Sequence, residues 1–265
     1  MYRYKLILSI TAIACVFVLM SGQKISAAKD NSGADISGLG SAIVKQAFDY
    51  YRGVASISVA EMTIHRAEWE RTMKIKAWTR GVHDSLFKII SPAKDKGNGT
   101  LKKGDEMWTF NPKVNRTIKL PPSMMSQAWM GSDFSNNDLA KSDTIVKDYT
   151  HSVTDVKEKD GLKIFFIESI PHPDAPVVWG MLHFKVREDG IMLSQGFYDE
   201  DKILVKELVT TDIKMMGGKL FPAVWKISKQ DEKQEYTTIK YLELEFKDSL
   251  PSRIFTRAGL KKKIR

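Results

Sequence analysis

The strongest constraint on this chain of 265 residues is a two-residue alternation that recurs along most of its length. Met73, Ile75 and Ala77 alternate with Thr72, Lys74 and Lys76. Leu242, Leu244 and Phe246 alternate with Glu243, Glu245 and Lys247. Leu162, Ile164 and Phe166 repeat the theme, with Phe165 and Ile167 making both faces partly apolar. A period of two sorts side chains onto opposite faces only in a β-strand. Turn signals punctuate the runs: Lys159-Asp160-Gly161, Glu188-Asp189-Gly190, Asp199-Glu200-Asp201 and Gly217-Gly218. Runs spaced by about ten residues with such punctuation predict an antiparallel meander. A long meander leaves two exposed edges unless it curls. The predicted class is therefore mainly β (α+β): a strongly curved antiparallel sheet forming an incomplete barrel, closed by short lid helices.

Two segments are available as covers. Ile43, Val44, Ala47, Phe48 and Tyr51 fall at helical spacing within 41–52, and Gly53 stops that helix. The second cover, residues 121–142, interrupts the meander. Pro121-Pro122 breaks a strand and makes a natural hinge, and Ser123 to Met130 can form two helical turns. Ser135 can cap a further short helix, with Asp138 three residues on to complement its dipole. The stretch Pro171-His172-Pro173-Asp174-Ala175-Pro176 must be a loop, because its prolines cannot donate to a ladder. A last short helix fits after Pro251.

The 121–142 insert is rich in methionine and aromatics. Methionine adapts its shape and aromatic rings supply apolar area, a composition suited to greasy and variable ligands. Met124, Met125, Trp129 and Met130 read as a lid, with Phe134 at its closing Met-Gly-Ser-Asp-Phe corner. Helical spacing would put Met125 beside Trp129. Upstream, Trp108 and Phe110 alternate on a strand and so share a side. That side is either a filled core or the wall of a ligand cavity.

Chemistry beside this apolar segment is missing. The five histidines, His65, His83, His151, His172 and His183, show no ligand spacing. No Gly-x-Ser-x-Gly elbow occurs. Gly97-Asn98-Gly99-Thr100 lacks the Gly-Lys-Ser/Thr ending of a phosphate loop. Asp199-Glu200-Asp201 lacks the following Gly and bidentate Glu of a calcium loop. Asp133 and Asp138 read as corner and cap residues. No cofactor, no metal and no enzymatic activity are expected.

The N-terminus reads as a secretory signal. Arg3 and Lys5 precede an apolar run from Leu6 to Met20, and Ser26-Ala27-Ala28 offers a cleavage site. An uncleaved anchor is the alternative, though the run is shorter than the roughly 20 residues a spanning helix wants. Cys15 is the only cysteine and lies inside this run. A lipid anchor on Cys15 is a further alternative; otherwise the mature chain has neither disulfide nor thiol. The expected organisation is a signal at 1–28, a flexible mature N-terminus at 29–40 and one domain at 41–265. Removing Arg3, Lys5 and Lys24 with the signal lowers the formal charge from +9 to +6. The basic residues are interspersed with acids, so nucleic acid is not an expected partner. The tail Lys261-Lys262-Lys263-Ile264-Arg265 could touch an anionic membrane surface or simply be solvated.

Several stretches resemble one family. They are Glu61-Met62-Thr63-Ile64, Arg71 to Met73, Pro92-Ala93-Lys94, Gly99 to Leu101, Trp108, Asn111-Pro112-Lys113, Arg116, Pro121 to Met125 and Trp129 to Phe134, through Asp138-Leu139. Together they are similar to the exported outer-membrane lipoprotein-sorting proteins, relatives of the LolA and LolB carriers. The resemblance implies an incomplete barrel lidded by helices, with a hydrophobic cavity for acyl chains of lipids or lipoproteins. It also implies a periplasmic home in a Gram-negative cell and a partnership with resistance-nodulation-division (MmpL-like) inner-membrane exporters. Two functions stay open on this basis: a carrier of acyl chains, or an adaptor that docks on an exporter while its own side chains fill the cavity.

Overall fold

The computed structural model describes residues 36–142, 144–232 and 234–263. The expected signal, Cys15 and the last two tail residues lie outside the described residues.

The described residues form one antiparallel sheet of thirteen strands. The first meander comprises β1 (Ala55–His65), β2 (Glu70–Arg80), β3 (Asp84–Ser91), β4 (Gly99–Lys103), β5 (Glu106–Asn111) and β6 (Arg116–Lys119). The second comprises β7 (Tyr149–Lys159), β8 (Leu162–Pro171), β9 (Met181–Arg187), β10 (Met192–Tyr198), β11 (Leu204–Met216), β12 (Lys219–Lys229) and β13 (Tyr236–Lys247). They join where β1 pairs with β13, from Ala55 opposite Lys247 to His65 opposite Tyr236. The edges of the sheet are therefore β6 and β7. The predicted turns hold. Asp160 (φ 54°) and Gly161 (φ 76°) both take positive φ between β7 and β8, the loop geometry that matches strand twist.

Because β6 and β7 are consecutive in sequence but lie at opposite edges, the chain between them must cross the sheet. It does so on the inner face. Residues 120–148 contact β1, β4, β11 and β13 through side chains, which a flat sheet would not permit. The sheet is curved around its own insert and does not close.

Two elements fill the inner face. Helix α1 (Ile36–Arg52) lies over the second meander, packing Val44, Ala47 and Phe48 against Ile167, Leu182 and Phe184. Phe48 meets Phe184 edge-on at 6.3 Å. The helix begins five residues before the predicted start. Residues 36–40, read as the end of a flexible segment, instead form its first turn. Of the glycines that suggested flexibility, Gly40 serves packing, since a Cβ there would sit 2.4 Å from the backbone oxygen of His151 in β7. Over the first meander lies the insert, whose Trp129 packs with Met62, Met73, Ile75 and Ile89.

A separate cluster sits on the outer face. The predicted C-terminal helix (Arg257–Lys261) places Leu260, with Phe255 before it, over Leu86 and Leu101.

The packing of α1 on β7 leads to two predictions. Gly40→Ala should destabilise the fold by about 2 kcal/mol, as overpacking against backbone does. Gly38→Ala, with nothing within 4 Å, should be neutral or stabilising by up to about 1 kcal/mol. Urea denaturation of both variants checks the contrast. The second concerns pH. His151 is buried, with Nδ1 2.7 Å from Ser169 Oγ. Burial, and more weakly His172, hold it below the ordinary histidine value. The unfolded chain then takes up the proton first, so stability is full above the unfolded value of about 6.5 and falls as pH drops below it. His183, held low by burial and by Lys185, adds to the slope. Thermal melts from neutral to mildly acidic pH should show this loss, and His151→Asn should reduce it.

Candidate functional site

Between α1 and the insert the inner face is hollow. The hollow begins with small residues at inward positions of two neighbouring strands. Ser58 on β1 lies opposite Ala77 on β2, Ala60 opposite Ile75, and Ser56 opposite Thr79. Bulky side chains fill equivalent positions elsewhere, such as Met62 opposite Met73. The small pairs leave a cavity of about 180 Å3. Its roof comes from Phe134 and Leu139 of the insert, its flank from Phe48 and Tyr51 of α1, and its mouth from Val177 and Val178 of the proline-rich loop. Val178 is half exposed, so the cavity reaches the surface beside that loop. The lining is predominantly apolar, the usual character of a small-molecule site.

The insert is fixed by polar contacts at two points. At the Met130–Phe134 corner the buried Asp133 carboxylate accepts from both terminal nitrogens of Arg66, at 3.2 and 3.1 Å, and from Thr237 Oγ1 at 2.6 Å. The Asp133 amide donates back to Thr237 Oγ1 at 3.1 Å. Met130 at φ 53° and Gly131 at φ 81° make the sharp turn that aims Asp133 inward, and Ser132 Oγ ties the turn to Trp129 O at 2.7 Å. Just beyond this corner, Ser135 and Asp138 form a capping box at the start of α2 (Asn136–Ala140). The same Asp138 carboxylate pairs with Lys206 from β11, with side chains 5% and 6% exposed respectively, and accepts from Trp179 Nε1 at 3.3 Å. Lys206 Nζ also sits 5.0 Å from the Trp179 ring and 5.1 Å from Phe197. Capping thus explains Asp138 only in part, and does not explain Asp133.

The sequence-predicted residues divide into three groups. Trp129 and Phe134 line the cavity. Trp129 is 5% exposed, meets Phe87 edge-on at 5.3 Å and donates from Nε1 to Thr100 Oγ1 at 3.0 Å, which makes it an anchor of the insert. Met130 packs beside it under the same cluster. Met124 and Met125 lie against Met107, Leu120 and Ala140, toward the edge of the sheet and away from the cavity. The segment 123–130 does not form two helical turns. It forms 3-10 turns at Pro122–Met124 and Trp129–Gly131, because Ala128 is not helical and Met130 is left-handed. Met125 and Trp129 are consequently in different clusters. Trp108 and Phe110 do share a side, but it is the outer one. Trp108 pairs with Leu101, which pairs with Leu86, and that row packs under Phe255 and Leu260.

Sequence reading missed the small inward residues Ser56, Ser58, Ala60 and Ala77, together with Val177 and Val178. The alternation Ser56-x-Ser58-x-Ala60 was there to be read as a face without bulk. Among the described residues no group of three His, Cys, Asp or Glu could hold a metal ion.

With this geometry in hand, comparison with known proteins places the chain. It belongs to a family of uncharacterised proteins whose model matches residues 81–262. No match to a curated protein was found. Its fold is the LolA-like incomplete barrel. A DUF1329 family protein from Desulfovibrio piger superposes with a TM-score of 0.75 at 22% identity, covering 85% of this chain and 99% of that one. An outer-membrane lipoprotein-sorting protein domain from Vibrio parahaemolyticus gives 0.73 at 19% identity, covering 85% and 100%. A LolA superfamily protein from Nitrosomonas europaea gives 0.68 at 20% identity, covering 83% and 98%.

Removing one partner of the corner clamp should be costly. Arg66→Ala leaves the Asp133 carboxylate, 1% exposed, with Thr237 alone. Uncompensated burial of that charge should cost about 3 kcal/mol, and Arg66→Lys, lacking the two-pronged fork, should lose part of that. Urea midpoints measure both, and limited proteolysis should show cleavage within 121–142 appearing first in Arg66→Ala.

Proposed function

We propose that this protein is a carrier that binds acyl chains of lipids or lipoproteins in the cavity between α1 and the insert, and releases them without making or breaking covalent bonds. The observation that carries this reading is the apolar hollow over the small cross-strand pairs of β1 and β2, with its mouth beside Val178. Each acyl methylene moved from water into such a space contributes roughly 0.8 kcal/mol. An apolar cavity of roughly 150 Å3 already admits a benzene-sized guest. The hollow of about 180 Å3 therefore accepts the end of a chain as it stands, and a longer chain requires the insert or the proline-rich loop to move outward. The lipoprotein-sorting and LolA superfamily proteins of the same fold support the carrier reading. The leader read at residues 1–28 supports export to the periplasm, where such cargo would be met. An inner-membrane exporter of the MmpL-like type is the proposed partner on the delivery or receiving side.

Titration with a fluorescent acyl probe tests the proposal. Ser58→Leu adds bulk into existing space and should weaken uptake about tenfold or more, since two displaced methylenes account for that much. Val178→Asp should weaken uptake by charging the mouth. Both should leave the thermal midpoint nearly unchanged. Absence of uptake by the unaltered protein would favour an adaptor whose apolar insert serves docking instead.

A further inference from the structure

Two donors in the cavity wall, on Arg52 and Trp225, are left without a partner. Arg52, in the last turn of α1, is among the lining residues, and its guanidinium carbon stands 5.1 Å from the Tyr51 ring centroid. Its Nε is buried without a hydrogen-bond partner, and among the described residues it makes no ion pair. Trp225 packs against Tyr51 with ring centroids 4.5 Å apart and planes tilted by 34°, and its Nε1 is also buried without a partner. The Tyr51 and Tyr241 hydroxyls are hydrogen-bonded to each other. A paired set of two hydroxyls carries two protons and uses only one, so one O–H remains to donate. Burial, reinforced by the neighbouring Tyr51, holds Tyr241 far above the ordinary tyrosine value, which keeps it protonated.

These groups share a requirement. Indole N–H and guanidinium donate and cannot accept, so only an acceptor satisfies them. A half-buried cation without a counter-charge is costly and invites an anion. The lining offers none of its own. The one carboxylate in the cavity wall is Asp138, which is committed to Lys206.

Building on the carrier reading, we propose that Arg52, Trp225 and the Tyr51–Tyr241 pair bind the carboxylate of a single-chain anionic amphiphile, whose tail runs over Ser58 and Ala77 toward the insert. The cavity is then polarised, with the head at the α1 end and the apolar chain beneath Phe134 and Leu139. The site distinguishes an ionised fatty-acid-like ligand from a neutral one of the same length. Arg52 also complements the C-terminal dipole of α1. That structural contribution affects acid and alcohol ligands alike, so their affinity ratio isolates the head-group role.

The test is calorimetric titration of the protein with dodecanoate and with dodecanol, each below its aggregation threshold. The unaltered protein should bind dodecanoate about tenfold more tightly or better, the effect of one charged hydrogen bond. Arg52→Gln should bring the dodecanoate-to-dodecanol affinity ratio to about one, whatever it does to the two affinities in common. Trp225→Phe, which keeps the ring and removes Nε1, should reduce the preference several-fold. If both ligands bind equally and Arg52→Gln alters neither, the head-group site is overturned while the carrier reading stands. If neither ligand binds, the carrier reading itself fails and this proposal with it.

Discussion

The chain leaves β6 at one edge of the sheet and must enter β7 at the other. Residues 120–148 cannot make that journey around the outside without abandoning the cover they give to the inner face. Crossing the inside, they set the curvature of the sheet, divide its inner face with α1, and roof the space left between. The cavity is thus a consequence of topology joined to a local choice of small residues. A meander of the same order with bulky residues at Ser58, Ala60 and Ala77 would fold around a filled core.

Apolar contact alone would not fix where such an insert rests, because methionine and leucine slide over one another with little change in energy. The charged contacts supply registration. Asp133 with Arg66 and Thr237 holds the corner to β1 and β13, and Asp138 with Lys206 and Trp179 holds the short helix to β11 and the proline-rich loop. Buried pairs add little net stability relative to well-packed apolar residues, yet losing one partner is costly. The clamps therefore define one seated position sharply. In the proposed carrier the loop bearing Val177 and Val178, which borders the cavity, is where a larger guest would be accommodated.

Much of the architecture was legible in the sequence. Two-residue alternation and glycine-bearing turns pointed to the meander, the proline pair to the interruption, and Ser135 to the helix cap, whereas Asp138 was read for the helix dipole and not for its reciprocal bond to the Ser135 amide. The side of a strand that faces inward was not legible. Trp108 and Phe110 alternate as expected, but parity does not say which face is covered, and the C-terminal helix claims theirs. The helical reading of 123–130 failed because a left-handed Met130, an unusual state for a residue with a Cβ, is imposed by distant partners of Asp133 rather than by local propensity. The small residues that make the hollow were passed over because apolar bulk draws attention and its absence does not. Gly40 misled for a related reason: it marks a close approach to β7, not a flexible lead.

Native mass spectrometry of the protein, purified without detergent and followed by lipid extraction, addresses the central claim most directly. The account predicts a near-stoichiometric adduct that extraction resolves into single-chain acyl species. A clean apo mass that stays unchanged when acyl ligands are added would contradict it, and would mean that the hollow between α1 and the insert is not a binding site.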